Sequence, residues 1–120
     1  MATPHSAIRP SPNPEYQRSE SIGLVLIPGF SMMTFASFIE PLRQVNRIIG
    51  REVYRWSLLA CDSDAVPASS GAEILVDHSI EDVPSFDYVF VCAGLDVERT
   101  TDERLISWLQ KISKTNGRAL

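Results

Sequence analysis

The chain has 120 residues, 44% of them hydrophobic and 22% charged, with a net charge of −4, which is the balance of one ordinary globular domain or part of one. Lys and Arg are scattered rather than gathered into a basic block interleaved with aromatics, so the surface lacks the footprint of a nucleic-acid-binding module and offers nothing to an anionic membrane. The longest apolar run, Ile22 to Phe30, is interrupted by Gly23, Pro28 and Gly29 and is far too short to span a bilayer.

Residues 1–20 carry prolines at positions 4, 10, 12 and 14 among Ser, Arg, Asn and Glu, too little apolar surface to offset the entropy of ordering. A disordered leader is expected there. It has no continuous apolar h-region and no small-residue cleavage site, so a cytoplasmic location is expected. Two cysteines, Cys61 and Cys92, agree: they are too few for a disulfide scaffold and are not spaced as metal ligands.

The folded unit is expected over 21–120. Ile22 to Ile27 is almost uniformly apolar and ends at Pro28-Gly29, the pattern of a strand buried on both faces of a parallel sheet. After a Pro28–Ser31 turn, apolar residues recur at Met32, Phe35, Phe38, Ile39, Leu42, Val45, Ile48 and Ile49, one face of a helix. Ser37-x-x-Glu40 has the form of a capping box and Pro41 is poorly placed deep in a helix, so a start near Ser37 or a kink is predicted, with Gly50 as the stop.

Tyr54 to Cys61 reads as a second strand closed by Asp62-Ser63-Asp64, Ala68 to Gly71 as a turn, and Glu73 to Val76 as a short strand or extended segment. Asp87 to Cys92 reads as a third core strand running into Ala93-Gly94. Thr100-x-x-Glu103 opens a predicted helix with the stripe Leu105, Ile106, Trp108, Leu109 and Ile112. Lys111 and Lys114 suit its negative end, Asn116-Gly117 ends it, and Arg118 to Leu120 begins another strand. Strands alternating with helices predict βαβ crossovers and a three-layer α/β/α sandwich on a mainly parallel sheet. The chain ends where a new strand starts, so the domain reads as truncated, and self-association through an open sheet edge is expected.

Such sheets bind ligands outside the carboxyl ends of their strands, which directs attention to Pro28–Met33, Cys61–Asp64 and Cys92–Asp96. The Met32-Met33-Thr34-Phe35 cluster after Gly29, with adaptable thioethers and an aromatic at the mouth of the sheet, could line a small-molecule pocket, although apolar residues at helical spacing are more commonly core. Cys92 at a strand end could be a nucleophile only with a His and an oxyanion-binding backbone beside it; a small buried hydrophobe is the stronger reading. His78 reads as a loop or capping residue, and Asp62 and Asp64 as solvated turn residues without a third metal ligand. No phosphate-binding or dinucleotide-binding glycine loop is present, so no cofactor is expected.

Taken together, Ile27-Pro-Gly-Phe-Ser-Met-Met33, Phe38-Ile-Glu-Pro-Leu-Arg43, Asn46-Arg47, Tyr54-Arg-Trp-Ser57, Ala68-Ser-Ser-Gly71 and Tyr88-Val-Phe-Val-Cys-Ala-Gly94 resemble the N-terminal part of AraC-type transcriptional regulators. Those regulators carry a ThiJ/PfpI-like, class I glutamine amidotransferase-like sensor domain. The resemblance implies a flavodoxin-like domain that binds a small-molecule effector, forms homo-oligomers, and reaches DNA only through a C-terminal pair of helix-turn-helix motifs absent from this chain. Within the family the chain looks like regulators of small nitrogenous metabolites, such as quaternary ammonium compounds or arginine. Phe30, Ser31, Met32, Met33 and Gly94 are the expected ligand-binding residues, with Phe30 as a wall of a cation cage. Enzymes of the superfamily place a carboxylate shortly after the first strand and a cysteine on a later elbow; the position matching that carboxylate is Thr34, so no catalytic residue is expected. A fragment of a cysteine-dependent hydrolase or glyoxalase-like enzyme is the alternative.

Overall fold

A run of residues buried without a break, Ile22 to Ile27, places the first strand in the middle of the molecule, with side chains shielded on both sides of the sheet. The computed structural model describes residues 18–83, 85–94, 102–114 and 118–119. In chain order these form β1 (Glu20–Leu26), α1 (Met32–Ile49), β2 (Tyr54–Ala60), β3 (Ala65–Pro67), β4 (Glu73–Leu75), β5 (His78–Ser79), a 3₁₀ turn (Ile80–Asp82), β6 (Tyr88–Cys92), α2 (Glu103–Lys114) and β7 (Arg118–Ala119). The main sheet has the order β5-β2-β1-β6-β7 with every neighbouring pair parallel, and β3 and β4 form a separate antiparallel hairpin.

The period of two along each strand splits the core into two layers. Ile22, Leu24 and Leu26 of β1, Trp56 and Leu58 of β2 and Cys92 of β6 face α1, where Phe35, Phe38 and Leu42 pack on them. Val25 and Ile27, with Leu59, Val89 and Phe86, face α2 and meet Leu105, Trp108, Leu109 and Ile112. The predicted α/β/α sandwich on a parallel sheet is thus the observed one. Gly23 belongs to the second layer, where a Cβ would stand 2.8 Å from the Phe86 ring.

Several local expectations differ. Helix α1 begins at Met32, because Ser31 is its N-cap and its hydroxyl accepts the Thr34 N–H at 3.3 Å. Ser37 and Pro41 are interior to the helix and both exposed, so the Ser37 carbonyl that loses its helical donor at Pro41 faces water. Gly50 closes the helix in the left-handed conformation, as predicted. In α2 the cap is Asp102, whose carboxylate accepts the Arg104 N–H at 2.8 Å; the expected cap Thr100 lies outside the described residues. Ile106 is 43% exposed and leaves the predicted stripe to Leu105, Trp108, Leu109 and Ile112.

Residues 1–17 of the expected leader lie outside the described residues, and its last three belong to the fold: the Glu20 N–H donates to the Val53 carbonyl at 2.9 Å and opens β1. His78, read as a loop residue, pairs with Leu59 in the edge strand β5. The parallel strand expected from Arg118 is present as β7.

Candidate functional site at the carboxyl end of the sheet

The connection from β1 to β2 runs through α1 on one face of the sheet, and the connection from β6 to β7 runs through α2 on the other. The winding therefore reverses between β1 and β6, and the crevice beyond the carboxyl ends of these two strands is where a sheet of this kind offers a ligand site. The loops that shape it are Ile27–Ser31 and Cys92–Gly94.

Hydrogen bonds and one close backbone approach lock the two loops together. Ile27 N–H donates to the Cys92 carbonyl at 3.0 Å and Ser31 N–H to the Ala93 carbonyl at 3.4 Å. Gly29 turns the chain with φ +86°, and the Phe30 N–H closes that turn on the Ile27 carbonyl at 2.9 Å. Gly94 sits directly against it: a Cβ there would stand 2.2 Å from the Gly29 carbonyl oxygen, so only glycine allows this approach.

The structure places the expected ligand residues unequally. Ser31 bonds Ala93 and Gly94 abuts Gly29 where the two loops join, and Met33 is 79% exposed in the first turn of α1. Met32 turns toward the core cluster under α1. Phe30 is 0% exposed, with its ring centroid 5.9 Å from that of Phe35, so it presents no face to a cation. The cage role expected of Phe30 is corrected accordingly: a parallel bridge to Ala68 directs its side chain inward, a tertiary contact that local sequence does not reveal.

The other candidate chemistry is weak. Cys92 is buried at the end of β6, its thiol 4.0 Å from the Ser31 carbonyl, and burial pushes its pKa up. Burial, and after it the Asp102 carboxylate, also raises the pKa of Cys61. Both side chains are thiols at neutral pH, the unreactive form. Thr34, at the position of the superfamily carboxylate, is exposed. Asp62 pairs with Arg104 at 3.0 Å, in a shallow depression beyond β2 that Asp64, Asp77, His78 and Asp82 also line. Among the described residues no group of three His, Cys, Asp or Glu is arranged to hold a metal ion, and no helix is long and apolar enough to cross a membrane. Leu95 and Asp96 lie outside the described residues.

One participant was not anticipated. The β3–β4 hairpin, legible in the sequence as the turn Ala68–Gly71 and the segment Glu73–Val76 but not as a neighbour of the β1 loop, is bonded to that loop: Gly29 N–H donates to the Pro67 carbonyl and Ser69 N–H to the Phe30 carbonyl, both at 2.8 Å. Gly71, at φ +94°, turns its tip.

No known family profile matches the chain. It is 35% identical over 109 residues to the HTH-type transcriptional regulator GbdR of Pseudomonas aeruginosa, a match that covers 91% of this chain and 30% of that regulator. Among solved structures it superposes on an AraC family transcriptional regulator from Pseudomonas putida with a TM-score of 0.73 at 22% identity, over 83% of this chain and 54% of that one. It superposes on a ThiJ/PfpI family protein from Pseudomonas syringae with a TM-score of 0.66 at 15% identity, over 98% of this chain and 49% of that one. The chain thus spans about a third of the curated relative and about half of the solved chains. The chain is similar in sequence to about a third of an HTH-type transcriptional regulator, and it shares its fold with about half of an AraC family regulator and of a ThiJ/PfpI family protein.

Proposed function

We propose that residues 21–120 are part of a sensor domain that binds a small nitrogenous metabolite, a quaternary ammonium compound or arginine, in the cytoplasm. In this reading the domain also forms homo-oligomers, and DNA is contacted by a separate helix-turn-helix domain outside this chain. The observation that carries the reading is the interlocked pair of loops beyond the carboxyl ends of β1 and β6, where such sheets bind ligands. These loops and the first turn of α1 carry Ser31, Met33 and Gly94, and neither Cys61 nor Cys92 supplies an ionised nucleophile. Such a site binds without transforming, and Thr34 in place of a carboxylate supports the same conclusion.

The test is calorimetric titration of the chain with glycine betaine and, separately, with L-arginine. One of the two binds saturably, and Met33→Ala weakens it about tenfold, since a methionine side chain covering a ligand contributes about 1.5 kcal/mol. Unchanged affinity in Met33→Ala, or no binding of either compound, contradicts the proposal.

A further inference from the structure

We infer that the tip of the β3–β4 hairpin forms the far wall of this crevice and that the Ser69 hydroxyl is a specificity-determining contact for the polar end of the effector. The inference rests on the sensor reading above and deepens it, because the hairpin is assigned to that site by contacts that do not depend on any ligand.

The geometry comes from one isolated parallel bridge and the hydrogen bonds beside it. Phe30 and Ala68 form a parallel bridge, flanked by the hydrogen bonds Gly29 N–H to Pro67 O and Ser69 N–H to Phe30 O. Successive side chains of extended backbone point to opposite faces. Phe30 and Ala68 are both buried and so take the inner face, which leaves Ser31 and Ser69 side by side on the outer one. Exposure agrees, with Ser69 open to solvent and Ser31 half-buried. The Ser31 hydroxyl oxygen is engaged in capping α1 through Thr34 N–H but keeps its own proton to donate.

Chemistry then separates the roles of the two hydroxyls. Ser31 cannot be changed without loosening the start of α1, whereas Ser69 holds its place through its backbone N–H, so its side chain is free to select. An effector lying over Ser31 and Met33 meets Ser69 on its other side. The hydroxyl, donor and acceptor at once, suits a carboxylate or a guanidinium better than an apolar end.

The experiment repeats the titration with whichever of glycine betaine and L-arginine binds, using Ser69→Ala, Ser69→Thr and Met33→Ala. Both Ser69 variants keep the backbone bond to Phe30, so the wall stays in place. Ser69→Ala is expected to bind about 2- to 10-fold more weakly, the range for one lost hydrogen bond, and Ser69→Thr to recover most of the loss. Wild-type affinity in Ser69→Ala alongside weakened Met33→Ala overturns the role of Ser69 and leaves the sensor reading standing. Wild-type affinity in both variants, or no binding by the unaltered chain, overturns the sensor reading and this inference with it.

Discussion

Asn46 is the polar side chain on which the start of β2 depends. It is 4% exposed, accepts the N–H groups of Val53 and Tyr54 at 2.8 and 2.9 Å, and donates to the Tyr54 carbonyl at 2.9 Å. The last turn of α1 is thereby fastened to the strand that follows Gly50. Asn46→Ala leaves those backbone groups short of partners and is expected to cost about 2 kcal/mol, read as a lower urea midpoint with an unchanged slope. A midpoint within error of wild type would show that water replaces all three bonds. The sequence marked Asn46 only as part of a family resemblance, since a polar residue between Val45 and Arg47 on a helix looks solvated. Its burial follows from the chain turning back at Gly50, which no local pattern discloses. Phe30 shows the converse: an aromatic between Gly29 and Ser31 looks available to a ligand until Ala68 pairs with it and directs the ring inward.

Among the elements, β1 and β6 were legible because strands buried on both faces must be nearly all apolar, and Ile22–Ile27 and Tyr88–Cys92 are. Strand β3 was not, because Ala65-Val-Pro67 is short and contains a proline, tolerated here in a three-residue hairpin strand outside the main sheet. The pairing of β1 with β6 has its own fastening at the amino end. The Asp87 carboxylate accepts the Ser21 N–H at 2.8 Å and the Ser21 hydroxyl at 3.1 Å. The backbone bond from Ser21, first, holds the Asp87 carboxyl below the usual carboxylate range. A depressed folded-state pKa contributes stability that is fully present above the unfolded value of about 3.9 and is lost as pH falls through the folded value. Asp87→Ala should therefore lower the urea midpoint at pH 7 and lose less on going to pH 3 than the unaltered chain does. An equal acid loss in both would place that sensitivity on other carboxylates.

At the scale of the whole molecule, the α/β/α order of layers was readable from alternating periodicities, and so was the end of the sheet that deserves inspection. The joining of the two loops at that end was not readable. It depends on Gly94 approaching the Gly29 carbonyl, as the place of the hairpin depends on docking against the β1 loop, both contacts between segments dozens of residues apart. A sensor domain of this kind binds its effector at the joined loops beyond β1 and β6. The most direct test is a ¹⁵N–¹H correlation spectrum of the labelled chain, titrated with glycine betaine and then with L-arginine. The prediction is that the amides of Ser31, Met32, Met33 and Gly94 shift progressively and saturably with one of the two. Shifts confined to Asp62–Asp82 in the acidic depression beyond β2, or none at either loop, would contradict it.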